Sequence, residues 1–119
     1  MALSIKNKFD ICINKGDPIE LLLTTLGDVR AEIGETAVFM IKNDPSDLDV
    51  NAIFTKNITI SETLIINIEV TTAETELFDI GNYFWSVKHT KNGNKYTIIP
   101  DDSCTNFPAL KIKEVLING

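Results

Sequence analysis

The sequence predicts an all-β fold, a two-layer antiparallel β-sandwich of about seven to nine short strands. Apolar and polar residues alternate in short runs rich in β-branched and aromatic residues, which is typical of strands that bury one face. Clusters of Gly, Pro, Asn, Asp and Ser interrupt these runs roughly every ten residues, as the turns of a sandwich do. The chain has 119 residues, enough for one hydrophobic core, and we expect a single domain over residues 1–119.

Four strands are predicted in the first half of the chain. Turn-forming residues separate the first two, since Gly16 accepts a positive φ and Pro18 offers no N–H to a ladder. A long polar loop, Asn43 to Asn51, follows the third strand and is expected at the surface. The predicted strands are Phe9 to Ile13, Ile19 to Thr25, Thr36 to Lys42 and Ile53 to Ile60.

Four further strands and one helical turn are predicted in the second half. Thr71, followed three residues later by Glu74, matches a capping box and predicts a short helical turn before Leu77. The pair Asn92-Gly93 predicts a two-residue hairpin turn, because both residues tolerate a positive φ. The alternation slips once in the last strand, which predicts a bulge. The predicted strands are Leu64 to Val70, Asn82 to His89, Lys95 to Ile99 and Leu110 to Ile117.

The segment Asp79 to Trp85 resembles a tyrosine corner, in which a Tyr at the start of strand F donates its hydroxyl to backbone a few residues upstream. Tyr83 is the corner residue, and we expect Gly81 to allow the tight entry into the strand. Trp85 takes the position that antibody domains give to the second disulfide cysteine, so a buried indole replaces the disulfide. The sequence therefore predicts an immunoglobulin-like sandwich with one helical turn before strand F and with Gly81, Tyr83 and Trp85 as structural markers.

The charge and hydropathy of the chain argue against two kinds of partner. The net charge is −6 and the eleven Lys and Arg residues are scattered, whereas phosphate contacts need clustered cations. No run approaches the roughly twenty apolar residues of a membrane span. Met1 to Lys8 lacks the apolar core of a signal peptide, so we expect no export. The sequence predicts neither nucleic-acid binding nor a membrane span.

Residues that catalysis or metal binding would require are scarce. His89 is the only histidine and lies at a predicted strand end beside a turn. No serine-hydrolase, phosphate-loop, dinucleotide or zinc-protease motif is present. The loop from Asp44 to Asn51 offers carboxylate oxygens, but its spacing lacks the Gly and the terminal Glu of an EF-hand. We therefore expect no enzymatic activity, no catalytic residue, no metal and no cofactor.

Two cysteines, Cys12 and Cys104, lie near opposite ends of the chain. They have no histidine partners for a zinc site, and their separation excludes a C-x-x-C redox motif. A disulfide between them requires that the N-terminal and C-terminal strands lie side by side, while the expected lack of export favours reduced thiols. The sequence leaves the pairing of these cysteines open.

Four short motifs occur in a fixed order along most of the chain. They are Asn14-Lys15-Gly16-Asp17, Val38-Phe39-Met40-Ile41-Lys42, Thr71 to Thr75 and Gly81-x-Tyr83-x-Trp85-x-Val87. This order resembles the N-terminal domain of phage baseplate upper proteins and related prophage tail domains. The resemblance implies a non-enzymatic immunoglobulin-like module that anchors a tail or baseplate component to neighbouring subunits. It also implies other virion proteins as partners, an oligomeric assembly, and a place in the virion after synthesis in the bacterial cytoplasm.

An alternative function is an extracellular immunoglobulin-like module of a bacterial surface protein, which binds glycan or protein through loops such as Asn43 to Asn51. A signal peptide on the gene product and an oxidised Cys12–Cys104 pair would favour this alternative. Neighbouring genes for tail proteins would favour assembly. Under both hypotheses function lies in sheet edges and loops, because an unpaired edge strand offers a ready pairing surface.

Overall fold

The computed structural model describes residues 10–25, 30–44, 46, 48–99 and 108–114. Within these residues the chain forms eight β-strands, one α-helical turn, α1 (Thr72–Thr75), and one 3-10 turn, Asp49–Asn51. The strands are β1 (Ile11–Asn14), β2 (Ile19–Thr24), β3 (Thr36–Lys42), β4 (Phe54–Thr59), β5 (Ile65–Val70), β6 (Gly81–Lys91), β7 (Asn94–Ile99) and β8 (Ala109–Lys113).

The strands form two sheets that face each other. The larger sheet has the order β1-β8-β6-β3-β4, with β7 paired to the C-terminal half of β6, and the smaller sheet is β2-β5. In immunoglobulin notation, β2 and β5 correspond to strands B and E, and β3, β4, β6 and β8 correspond to strands C, C′, F and G. The predicted all-β, immunoglobulin-like sandwich with a helical turn before strand F is confirmed.

One strand pair departs from the antiparallel prediction. β1 runs parallel to β8, with Ile11 opposite Leu110. The two strands are distant along the chain, so no tight turn has to join them and the antiparallel constraint of a hairpin does not apply. The Asp10 carboxylate accepts the Ala109 N–H at 2.9 Å, which aligns the two strands where the pairing begins.

The middle of the core is aromatic. Trp85 is 1% exposed, and its ring centroid lies 5.8 Å from that of Phe39. The Phe39 ring lies 6.4 Å from Phe54, and the Phe54 ring lies 5.4 Å from Phe78. Phe78 then contacts Tyr83, with 5.8 Å between their centroids. Such pairs add roughly 0.5–1.5 kcal/mol each beyond burial. The five rings therefore connect the centre of the sandwich to its tyrosine corner.

Most strand bounds agree with the sequence prediction to within two residues, and β3 agrees at both ends. β8 ends earlier than predicted, at Lys113. Residues 115–117, where the predicted strand and its bulge continue, lie outside the described part of the chain, as does Phe9.

Leu64 is excluded from the strand in which the sequence places it. Its φ is 71°, in the left-handed region that a branched side chain adopts only at a cost of about 1 kcal/mol or more. Two backbone hydrogen bonds hold this conformation. The Leu64 N–H donates to the Ala31 carbonyl at 2.7 Å, and the Leu64 carbonyl accepts the Thr25 N–H at 2.7 Å. β5 therefore begins at Ile65.

Both local turn predictions are confirmed. The Thr71 hydroxyl accepts the Glu74 N–H at 3.2 Å, and the Glu74 carboxylate accepts the Thr71 N–H at 2.9 Å, which completes the capping box of α1. Asn92 and Gly93 have φ values of 53° and 79°, as a two-residue hairpin turn requires. Among the described residues no helix has the length and hydropathy needed to cross a membrane.

Candidate docking groove at the tyrosine corner

Tyr83 fixes the backbone where the chain passes from the smaller sheet to the larger one. Its hydroxyl donates to the Asp79 carbonyl at 2.6 Å, which is the hydrogen bond of a tyrosine corner. The side chain is 8% exposed. Burial, together with the negative charge of Asp79, raises the pKa of the Tyr83 phenol, so the hydroxyl remains a donor at neutral pH. The backbone from residue 79 to residue 83 is thereby held as a rigid corner.

Gly81 is not required by the geometry of this corner. A β-carbon built at residue 81 would lie 3.9 Å from the Tyr83 hydroxyl, an ordinary van der Waals contact. The positive-φ glycines of the described residues are Gly16, Gly34 and Gly93, so Gly81 does not use the left-handed region either. The expectation that Gly81 permits the tight entry has no steric basis, because the Tyr83–Asp79 hydrogen bond makes the corner.

A groove opens beside the corner, between the β3–β4 loop and the segment that follows α1. Its volume is about 290 Å³. Phe54, Phe78 and Tyr83, which are largely buried, form its floor. Ile53 and Leu77, which are 40% and 79% exposed, form its rim. We call this site the corner groove.

The chemistry of the corner groove suits binding better than reaction. Asn43 and Asp79 are the polar residues among those that line it, and no lining residue is a Ser, Cys, His or Lys. An aliphatic rim over a fixed aromatic floor offers a pocket for an apolar side chain of a protein partner. Solvent-exposed apolar side chains grouped in this way are a recurrent feature of protein–protein contacts.

An ion pair holds the rim of the corner groove in place. The Lys56 ammonium of β4 donates to the Glu74 carboxylate of α1 at 2.7 Å. This hydrogen bond, with a second from the Thr71 N–H, lowers the pKa of Glu74, so this carboxylate is charged at neutral pH. The contact ties the turn that precedes Leu77 to the same strand that supplies Phe54.

A second groove, the sheet-face groove, lies on the outer face of the larger sheet and has a volume of about 410 Å³. Side chains of β3, β4, β6 and β7 line it together with the 3-10 turn. The Asp49 carboxylate of that turn accepts the Lys42 ammonium at 2.8 Å and also the Lys88 ammonium. These hydrogen bonds lower the pKa of Asp49 and fasten the turn to the sheet. Val50 remains 86% exposed at the border of the groove.

The two acidic residues of the β3–β4 loop that the structure describes, Asp44 and Asp49, contact different partners. The Asp44 carboxylate accepts the N–H of Ser46 at 2.9 Å and its hydroxyl at 2.8 Å, whereas Asp49 faces lysines. Asp47 lies outside the described residues. Within residues 10–25, 30–44, 46, 48–99 and 108–114, no group of three or more His, Cys, Asp or Glu side chains has a metal-binding arrangement.

His89 lies inside β6, two residues before its end, and its imidazole is fully buried. Its Nε2 donates to the Glu35 carboxylate at 2.8 Å, while its Nδ1 is buried without a hydrogen-bond partner. Partial burial works to raise the pKa of the Glu35 carboxyl. Hydrogen bonds from the Glu32 N–H, His89 and Lys91 outweigh this and hold the pKa of Glu35 below its ordinary value. His89 lines neither groove, so the histidine–carboxylate pair links β6 to the segment before β3.

Cys12 is exposed on β1 and forms no disulfide with any residue that the structure describes. β1 and β8 lie side by side, which is the arrangement that a disulfide between the two ends of the chain requires. Cys104 lies outside the described residues, and the pairing stays open.

Comparisons of the chain with family models, with curated proteins and with solved structures find no match. The site residues that sequence reasoning missed are Ile53 and Leu77. Within an alternating pattern, an exposed aliphatic residue has the same signature as a buried one. The available signal was the position of Leu77 directly after a capped helical turn, where the chain must bend at the surface.

Proposed function

We propose that this chain is a non-enzymatic assembly domain of a bacteriophage or prophage tail or baseplate, which docks to neighbouring virion subunits through the corner groove. The observation that carries the proposal is the exposed aliphatic rim, Ile53 and Leu77, on a backbone that Tyr83 holds rigid. A rigid surface loses little conformational entropy on binding, which favours docking without rearrangement. The virion context comes from the motif order of the sequence.

The energetics of the corner groove match those of a docking site in a repetitive assembly. One apolar anchor buried in a groove of about 290 Å³ supplies a few kcal/mol, which alone gives weak binding. Symmetric repetition of the contact in an assembly converts weak individual contacts into durable association. The partners in this proposal are other virion proteins, and the place of the domain is the assembled tail or baseplate.

The test combines identified partners with a matched pair of variants. The proteins encoded by the genes beside this one are purified, and their binding to the chain is measured by biolayer interferometry. Leu77→Asp places a charge on the rim of the corner groove. Leu22→Asp makes the same change on the outer face of β2, where the leucine is 71% exposed, close to the 79% of Leu77. We expect Leu77→Asp to weaken binding of a tail protein at least tenfold, and Leu22→Asp to leave it unchanged.

Two results would count against the proposal. Equal affinities of the Leu77→Asp and Leu22→Asp variants would remove the corner groove from the interface. If the neighbouring genes encode no tail component and none of their products binds, the assembly function itself would be lost.

The sheet-face groove favours a second candidate function, an extracellular module that binds glycan or protein. Hydroxyl, amide and ammonium groups line it, including Thr55, Asn57, Lys88 and Lys95. Such groups can hydrogen-bond sugar hydroxyls or a polar peptide. A glycan array probed with the chain and with Lys95→Glu checks this function. Glycan binding that the substitution abolishes would support this function. If the chain binds no glycan, a protein ligand remains for this candidate function, and the interferometry described above tests protein binding.

A further inference from the structure

Among the residues that the structure describes, β4 forms an open edge of the larger sheet. It is the last strand of the order β1-β8-β6-β3-β4, and no strand of the described residues pairs with its outer side. Open edges of this kind present unpaired backbone groups and are the places where a second chain can extend a sheet.

The register of β4 on β3 decides which backbone groups face outward. The Ile60 N–H donates to the Glu35 carbonyl at 2.8 Å, so residue 60 belongs to the set that bonds to β3. This set alternates along an antiparallel strand, and therefore includes residues 58, 56 and 54. The remaining residues, Thr55, Asn57 and Thr59, direct both N–H and C=O away from β3. The open edge thus carries three outward donors and three outward acceptors.

The side chains of these same three residues are self-complementary. Thr55, Asn57 and Thr59 are exposed, uncharged and on the outer face of the sheet. The outward side chains of β4 are therefore Thr, Asn and Thr, and this order is the same in both directions along the strand. Two copies of such a strand can lie antiparallel so that each Thr55 faces Thr59 of the other copy and the two Asn57 side chains meet on the two-fold axis.

We infer that the chain forms a two-fold symmetric dimer through antiparallel pairing of β4 with β4 of a second copy, centred on Asn57. In this register every outward backbone group of Thr55, Asn57 and Thr59 finds a partner, which gives six backbone hydrogen bonds between the copies. A two-fold contact uses the same patch on both subunits and leaves no copy of that patch free, so it produces a closed dimer and not a fibre. Cross-strand threonine pairs add hydrogen bonds of their own.

Charge does not oppose the pairing. Lys56 is the one charged residue of β4, and its ammonium is turned toward α1, where it pairs with Glu74 at 2.7 Å. In the register centred on Asn57, Lys56 lies opposite Ile58 of the other copy, so the two lysines do not face each other. A register centred on Lys56 would instead place the two lysines directly opposite each other, so like-charge repulsion disfavours that alternative.

The dimer should be weak. Five paired residues span about 17 Å, and the interface falls below the roughly 1,200 Å² of a stable complex. We therefore expect a dissociation constant of roughly 100 μM to 1 mM for the dimer, and the measurement must cover protein concentrations up to about 1 mM.

Sedimentation equilibrium of the purified chain tests the association, with two matched asparagine substitutions. Asn57→Lys places two ammonium groups against each other on the axis and is expected to weaken the dimer at least tenfold. Asn67→Lys makes the same change on the exposed face of β5, an edge of the smaller sheet, and is expected to leave the dimer unchanged. Circular dichroism checks that both variants keep the fold.

Cysteine crosslinking tests the register, in a background with Cys12→Ser and Cys104→Ser. Asn57→Cys should form an intermolecular disulfide on oxidation, because directly opposite residues have Cα atoms about 5.5 Å apart. Thr55→Cys should not, because its counterpart in the other copy lies about four residues away, roughly 13 Å, which is beyond disulfide reach.

A strict monomer up to 1 mM, with no crosslinking of the Asn57→Cys variant, overturns the inference. So does a dimer that Asn67→Lys breaks and Asn57→Lys does not, since that result assigns the contact to β5. Crosslinking of Thr55→Cys in preference to Asn57→Cys overturns the register. The inferred dimer is independent of the proposed docking at the corner groove, so a result that refutes one leaves the other standing.

Discussion

Removing one oxygen atom at the tyrosine corner measures how much the corner contributes to stability. Tyr83→Phe deletes the hydroxyl that donates to the Asp79 carbonyl at 2.6 Å and leaves the ring contact with Phe78 in place. A hydrogen bond of this kind contributes about 0.5–1.5 kcal/mol net, and the carbonyl that loses its donor beside a nearly buried ring adds a desolvation cost. We expect the free energy of unfolding to fall by about 1–2 kcal/mol.

Thermal and urea unfolding followed by circular dichroism provide the assay. For 119 residues the entropy of unfolding is about 0.25 kcal/mol/K, so the expected loss corresponds to a fall in Tm of roughly 4–8 °C. Tyr96→Phe is the matched control, because Tyr96 is 38% exposed and its substitution should change stability by no more than about 0.5 kcal/mol. If both variants unfold at the wild-type midpoint, the Tyr83 hydroxyl contributes nothing measurable to the free energy of unfolding. The argument that this hydrogen bond holds the corner groove rigid would then be refuted.

Two further predictions concern acid stability and glycine. The pKa of Glu35 is lowered from its ordinary 4.5, so its contribution to stability is complete above that value and is lost as pH falls through the lower pKa of the folded state. The Glu35→Gln variant should therefore be less stable than wild type at pH 7, and its free energy of unfolding should fall less between pH 7 and pH 3. Urea midpoints that fall by the same amount in the variant and the wild type over that range would contradict this. Gly81→Ala should be neutral or stabilising by up to about 1 kcal/mol, whereas Gly93→Ala, at φ +79°, should destabilise by about 1 kcal/mol or more. Equal Tm shifts for the two glycine variants would refute the reasoning from φ.

Local signals in the sequence were sufficient for most of the fold. β3 is a continuous run of strand-forming residues and has its predicted bounds, and Asn92-Gly93 forms the predicted turn, because period and turn chemistry act over a few residues. Leu64 fits the alternation of β5 equally well but is drawn into the left-handed region by hydrogen bonds to Ala31 and Thr25. Those partners are distant along the chain, and no local pattern encodes them.

The site was harder to predict, for a physical reason. The roles of Tyr83 and Trp85 could be predicted from the sequence, because buried aromatics on a strand next to a turn form a recognisable motif. His89, in contrast, occupies a position that reads as a strand end, yet β6 continues past it to pair with β7 and the imidazole is fully buried. Whether Leu77 is exposed depends on which surfaces the two sheets leave uncovered. That property belongs to the assembled sandwich and not to any segment of it.

The two proposed contacts share one strand. Phe54, the first residue of β4, forms part of the floor of the corner groove, and Asn57 lies three residues further along the same strand. In a dimer centred on Asn57, the two copies of Phe54 are about six residues apart along the paired strands, roughly 20 Å. Two corner grooves would then be held at a fixed spacing on one rigid sheet, related by the two-fold axis. A partner that also repeats by symmetry can engage both grooves at once, and the second contact then forms at a high effective concentration. If both proposed contacts form, a weak edge contact and a shallow apolar groove would together give the bivalent docking that the proposed assembly function calls for.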